Sequence, residues 1–175
     1  MILTDNGIYG IGSSQFGQLG LGTQVLSTRY PTLLNFGQNT NTTTNDDDNK
    51  IWKIVCGSYH TLLLTNNGHL YSFGWSLHGQ LGHGISIDDQ YEPRLIRYFI
   101  DTVKVSIADV AAGYAHTAAL TTTGDLYMFG QNCYGQLGTT AERENGCNNN
   151  KFFIPQKFTL LPGPIRMICC GPFHT

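Results

Sequence analysis

The chain has 175 residues, of which 41 % are hydrophobic and 13 % charged, and its formal net charge is -2. That apolar content can bury a real core, which excludes a disordered chain. There is no basic stripe to recruit nucleic acid or an anionic membrane, and no apolar run of the roughly 18 residues that a spanning helix needs.

In chain order, the opening stretch Met1-Ile2-Leu3-Thr4-Asp5-Asn6-Gly7 lacks the basic region and long apolar core of a signal peptide. Gly12 is followed five residues later by Gly17-Gln18-Leu19-Gly20, and the same tetrapeptide returns at Gly79 to Gly82 and Gly135 to Gly138, spaced 62 and 56 residues apart. Recurrence at such a period predicts stacked structural modules. Pro31, Pro93 and Pro155 follow the three copies. Proline suits an edge strand, so each marks the outermost strand of its unit. Residues 38–50 form a low-complexity insertion holding Asn41-Thr42-Thr43 and Asp46-Asp47-Asp48. The aspartates lack the alternating ligands, central glycine and terminal glutamate of a calcium loop, so the segment reads as a solvated loop between modules.

The middle unit is the clearest. Ile54-Val55-Cys56 is a short strand, Gly57 a sharp corner, and Leu62-Leu63-Leu64 a second strand that ends at Asn66-Asn67-Gly68. Asn-Gly between two apolar runs predicts a hairpin, because both residues tolerate positive φ. A third strand alternates through His69-Leu70-Tyr71-Ser72-Phe73 and stops at Gly74. Residues 101–112 have ambiguous apolar spacing, and their β-branched side chains favour strand over helix. The third unit keeps the register, with the corner at Gly113, the turn at Gly124, the strand end at Gly130, and then Gly135 and Gly138. Its loop is followed by the segment 142–150, which matches nothing in the other units. The expected units are 1–53, 54–109 and 110–167, with 168–175 starting another.

The ends are two halves of one motif. Gly171-Pro172-Phe173-His174-Thr175 joined to Met1 aligns without a gap to Gly57 through Gly68. Either the chain is part of a longer ring, or the halves meet between two chains in a six-bladed ring. Open terminal edges of this kind promote self-association or poor solubility.

The pattern Val/Ile-x-x-Gly-x-x-His-Thr, apolar run, turn glycine, Leu-Tyr-x-Phe-Gly and Tyr-Gly-Gln-Leu-Gly resembles the regulator of chromosome condensation repeat. The resemblance covers the chain outside 38–50 and 142–150. It implies an all-β fold, a β-propeller of four-stranded antiparallel blades. Full members have seven blades, and this chain provides a partial ring of about three. It also implies a partner-facing surface between the corner glycine and the histidine, here Ser58 and Tyr59, Tyr114 and Ala115, and Pro172 and Phe173. These side chains either form a protein-binding patch or pack against neighbouring blades. Plant ultraviolet photoreceptors similar to this family place tryptophans there; this chain has none there, and Trp52 and Trp75 are expected elsewhere. The founding member exchanges guanine nucleotide on a small GTPase, and other members are arms of ubiquitin ligases or kinases. A protein scaffold is thus the leading expectation, with a small GTPase among the candidate partners.

Other chemistry is less well supported. His60, His116 and His174 are each followed by threonine, but one per blade places them tens of ångströms apart, which excludes a common metal site. They are expected as packed structural histidines, and His69, His78 and His83 as surface or loop residues. Gly-Gln-Leu-Gly lacks the lysine and helix of a phosphate cradle. It is expected to close the inner hairpin of each blade and to pack between blades. No nucleophile, base and orienter share a motif, so the chain is expected to be no enzyme and to need no cofactor. Five cysteines without a Cys-x-x-Cys pair, among them the adjacent Cys169 and Cys170, fit reduced thiols in a cytoplasmic or nuclear protein.

Overall fold

The computed structural model describes residues 1–36, 50–139 and 150–175. Nearly all of the 38–50 insertion and of the segment 142–150, with Cys147 in it, lies outside the described residues.

The fold is three antiparallel sheets, each a propeller blade. Blade 1 has three strands in the order β1 (Ile2–Thr4), β2 (Gly7–Ser13) and β3 (Ser27–Leu33). Blade 2 runs β4 (Ile51–Cys56), β5 (His60–Thr65), β6 (Leu70–Gly74) and β7 (Gln90–Leu95), and blade 3 repeats this with β8 (Ile107–Ala112), β9 (His116–Thr121), β10 (Leu126–Gln131) and β11 (Lys151–Lys157). Pro31, Pro93 and Pro155 sit in β3, β7 and β11, each at the edge of its sheet. The pairing slips by two residues beside each of them, between Gly10 and Gly12, Ser72 and Gly74, and Met128 and Gly130. A missing N–H is tolerated at an edge and at a bulge.

Gly-Gln-Leu-Gly does not close the inner hairpin. It lies on the longer connection that leads into the outermost strand of each blade. The inner hairpin is closed instead by the turns at Gly68 and Gly124, where the glycine N–H donates back to Thr65 and Thr121. Residues 101–112 divide. Tyr98–Thr102 forms a single π-helical turn, in which the Val103 N–H donates to the Tyr98 carbonyl at 3.1 Å, and strand begins only at Ile107. Phe99, buried in the core between blades 2 and 3, holds that turn in place by tertiary packing, which periodicity over so few residues cannot reveal.

The cores lie between blades. Leu62-Leu63-Leu64 is a continuous apolar run because both faces of β5 are covered. Leu63 joins Ile8, Leu34, Ile51 and Phe73 between blades 1 and 2. Leu62 and Leu64 join Leu70, Ile107, Val110, Ala119, Tyr127 and Phe129 between blades 2 and 3. A third cluster, with Ala118, Leu126, Met128 and Leu137, forms the outer face of blade 3.

Candidate protein-interaction face

The histidines come first, because they fix how one blade addresses the next. The Nε2 of His60 lies 3.0 Å from the Thr117 hydroxyl, and that hydroxyl donates to the Gln80 carbonyl at 2.8 Å. Its single proton is therefore committed, so His60 must be the donor, in its neutral Nε2–H form. The pattern recurs one blade on, with His116 Nε2 at 3.1 Å from the Thr175 hydroxyl. Thr61 likewise donates to the Gln18 carbonyl at 2.8 Å. Each His-Thr pair thus latches its blade to the neighbours on both sides.

This corrects the expected spacing of the series. His60 reaches the residue that follows His116, and His116 the residue that follows His174, so successive histidines are neighbours across a blade interface and feel one another's charge. Among the described residues no group of three or more His, Cys, Asp and Glu could hold a metal ion. His83 lies in the loop between β6 and β7, as expected. It is half-buried, with its Nε2 2.9 Å from the Ser72 hydroxyl.

Burial first, and the neighbouring His116 second, lowers His60 to about 3. Burial likewise lowers His116 to about 4, against an opposing backbone hydrogen bond at His174. Both are neutral in the fold and would take up protons on unfolding below the ordinary 6.5. Folding is then most favoured above pH 6.5 and weakens as pH falls through that value towards 4. Thermal melts from pH 7.5 to 5 should show a falling midpoint, and His60→Phe should flatten that slope. An unchanged slope would show that His60 does not titrate on unfolding.

The second feature is a continuous series of aromatic contacts across all three blades. Phe16 meets Tyr59 at 5.3 Å and Trp75 at 5.8 Å between ring centroids. Tyr59 meets Trp75 at 5.7 Å and Tyr114 at 5.9 Å. Tyr114 contacts Phe173 at 5.6 Å, and Phe173 contacts Tyr134 at 5.1 Å. His78 lies edge-on to Trp75 at 4.8 Å. Most of these pairs are edge-to-face, the arrangement favoured by the ring quadrupole.

Of the residues expected on this face, Ser58, Tyr59, Pro172 and Phe173 are exposed, Tyr59 to 37 % and Phe173 to 47 %. Tyr114 is half-buried inside the series. Ala115 is fully buried at 0 % and offers nothing to a partner. The corner glycines have a separate task. A Cβ on Gly57 would lie 2.4 Å from the His60 ring, one on Gly113 2.0 Å from His116, and one on Gly171 2.1 Å from His174. Only glycine lets each imidazole lie back over its own corner.

Phe16, Trp75, His78 and Tyr134 were missed by the sequence reading. Trp75 lies outside the positions between corner glycine and histidine, as expected, yet its ring packs against Tyr59 and Tyr114 in the middle of the series. Trp52 lies on β4, outside the series. A signal was available, because Phe16, His78 and Tyr134 each directly precede Gly-Gln-Leu-Gly. The glutamine of that motif holds them in place. The Oε1 of Gln18, Gln80 and Gln136 accepts the backbone N–H of Phe16, His78 and Tyr134 at 3.0, 3.0 and 2.9 Å. The motif fixes the loop that presents the ring.

Comparisons with known proteins agree with this fold. The chain is 35 % identical over 138 residues to the ultraviolet-B receptor UVR8 of Arabidopsis thaliana, an alignment covering 78 % of this chain and 28 % of that protein. It is 34 % identical over 129 residues to the probable E3 ubiquitin-protein ligase HERC4 of Rattus norvegicus, covering 73 % of this chain and 11 % of HERC4. It therefore spans well under a third of the length of either relative. The structure of yeast RCC1 (Prp20) bound to Kap60 superposes with a TM-score of 0.73 at 22 % identity, over 97 % of this chain and 37 % of that one. A second structure, of Prp20p from Saccharomyces cerevisiae, superposes at 0.64 with 21 % identity over 86 % of this chain and 34 % of its own; its report covers binding to Gsp1p and histones. No helix among the described residues is long and apolar enough to cross a membrane. The sequence model of the Regulator of chromosome condensation (RCC1) repeat matches residues 5–64, 67–120 and 123–175, so the chain belongs to that family.

Proposed function

We propose that this chain is a non-enzymatic protein-interaction module, and that the aromatic series from Phe16 to Tyr134 is its docking face. The observation that carries the reading is continuity: ring contacts link the three blades, and Tyr59, Phe173 and Tyr134 keep exposed surface for a partner, Tyr134 to 63 %. Tyrosine, tryptophan and phenylalanine dominate the energetic centres of protein interfaces, each worth about 2 kcal/mol or more when truncated there. The partner is proposed to be a protein met in the cytoplasm or nucleus.

The triple variant Tyr59→Ala, Trp75→Ala, Tyr114→Ala should lose a partner captured by the unaltered chain by about 100-fold or more in affinity. Interferometry with that purified partner measures the loss, while circular dichroism checks that the β-sheet remains. Unchanged affinity in a folded variant would move the docking face elsewhere.

A second reading is favoured by the likeness to Prp20p. If the whole protein acts as a guanine-nucleotide exchange factor, its small GTPase would dock on this propeller. A nucleotide-release assay on the full polypeptide separates that from simple capture. The likeness to HERC4 supports a third role, as the propeller arm of a larger ubiquitin ligase.

A further inference from the structure

Blade 2 carries a loop that neither the blade packing nor the aromatic series accounts for. Residues 84–89 lead into β7, and Ile85, Ser86, Ile87 and Asp88 are all exposed, Ile85 to 89 %. From Ser86 to Asp89 the backbone belongs to no strand, helix or turn. A modifying enzyme can draw such a stretch into its cleft without breaking a strand ladder.

The local sequence is Ser86-Ile87-Asp88-Asp89, a hydroxyl followed two and three positions later by carboxylates. Among the described residues, two other hydroxyls have a carboxylate three positions on, Ser106 with Asp109 and Thr122 with Asp125. Those carboxylates are already paired, Asp109 with Lys53 and Asp125 with Lys157. Their segments are also held together, because the Thr122 N–H donates to the Ser106 carbonyl at 3.0 Å. Asp88 and Asp89 make no ion pair among the described residues. Their charge is free to meet the basic groups of an enzyme that reads acidic residues beside a serine.

The loop is fastened to the neighbour of Trp75. Asp89 Oδ1 accepts the Ser76 N–H at 2.9 Å, and the Ser76 hydroxyl donates to the Ser86 carbonyl at 3.1 Å. Ser86 takes part as well: its hydroxyl donates to Asp88 Oδ2 at 3.1 Å and accepts the Asp88 N–H at 3.3 Å. Burial raises the Asp89 carboxyl above its ordinary value, against the Ser76 hydrogen bond, and the Asp88 charge adds to the rise. The corner therefore resists further negative charge.

We propose that Ser86 is a phosphorylation site for an acid-directed serine/threonine kinase, and that the phosphate frees the loop from Ser76 and loosens Trp75. In the transfer, Ser86 Oγ bonds to the γ-phosphorus of magnesium-ATP and the bond from that phosphorus to the ADP oxygen breaks. The hydroxyl proton passes to a carboxylate base of the kinase. Phosphoserine has no hydroxyl hydrogen for Asp88, and it sets about 1.5 to 2 negative charges beside two carboxylates. Their repulsion pulls on both bonds to Ser76, which directly follows Trp75 in the chain. The modification stands apart from the docking face; only an effect on partner binding rests on that reading.

The test treats the full chain with a purified acid-directed serine/threonine kinase and magnesium-ATP, and locates phosphate by tandem mass spectrometry. Ser86 should be modified, and Ser86→Ala should lose that phosphate. The double variant Asp88→Asn, Asp89→Asn should slow the transfer by about tenfold or more. An asparagine at 89 keeps an oxygen for the Ser76 N–H, so the loss would not come from a displaced loop. Phosphate only at other hydroxyls, or an equal rate in the double variant, would overturn the site. Trp52→Phe leaves Trp75 as the single tryptophan, and its emission should shift to the red once Ser86 is phosphorylated. Unchanged emission in the phosphorylated chain would overturn the coupling to Trp75. That signal is read without any partner, so it does not depend on where partners dock.

Discussion

Gly79→Ala should destabilise the chain by about 3 kcal/mol or more, while Gly135→Ala at the same place in the next repeat should cost only about 1–2 kcal/mol. Both glycines have nearly the same positive φ, +84° and +79°, so the conformational strain on alanine is the same. They differ in what faces them. The Cβ of residue 79 would lie 2.7 Å from both the Phe152 carbonyl oxygen and the Phe153 Cα, in the backbone of β11. Backbone held in a strand ladder cannot yield as a flexible side chain can, so the blades must separate. Urea denaturation at concentrations where the chain is monomeric measures the difference. Equal losses for the two variants would show that strain alone, and not the blade contact, requires glycine there.

Thr117→Val keeps the shape of the side chain and removes its hydroxyl. Two buried groups then lose their partner, the Nε2–H of His60 and the carbonyl of Gln80. An unsatisfied buried polar group costs about 1–3 kcal/mol, so the sum for the two is about 2–6 kcal/mol. Against total stabilities of about 5–15 kcal/mol, that should leave the junction of blades 2 and 3 partly open at room temperature. Thr117→Ser should restore most of the loss. Thr61→Val is the control, because Thr61 satisfies the Gln18 carbonyl and its hydroxyl meets no histidine of a preceding blade, so it should cost about half as much. If Thr117→Val were as stable as the unaltered chain in denaturant, the latch would be incidental to blade docking.

The reading of individual residues succeeded where a local rule applied and failed where a distant one did. The Asn67-Gly68 and Thr123-Gly124 turns, the edge prolines and the strand run of Leu62 to Leu64 follow from backbone preferences and side-chain alternation, and all appear in the fold. Ala115 was placed on the partner face by its position between Gly113 and His116, but the strand turns it inward, where no water reaches it. Trp75 follows a strand-ending glycine with positive φ, and the direction of its side chain depends on that turn and on the neighbouring Tyr59 and Tyr114. The π-helical turn at Tyr98–Thr102 depends on Phe99 finding its place in the core.

The repeat period, the all-β fold and the placing of most strands and of the Gly68 and Gly124 turns were determined by the sequence alone. Each rests on interactions within about a dozen residues, so the tetrapeptide Gly-Gln-Leu-Gly and the corner glycines announce them directly. What the tertiary structure decided was which residues of different repeats meet. The neighbouring of His60 and Thr117 and the aromatic series join residues of different repeats, many of them about forty to sixty positions apart. Those contacts are set by the stacking of one blade on the next, a geometry that no single repeat contains.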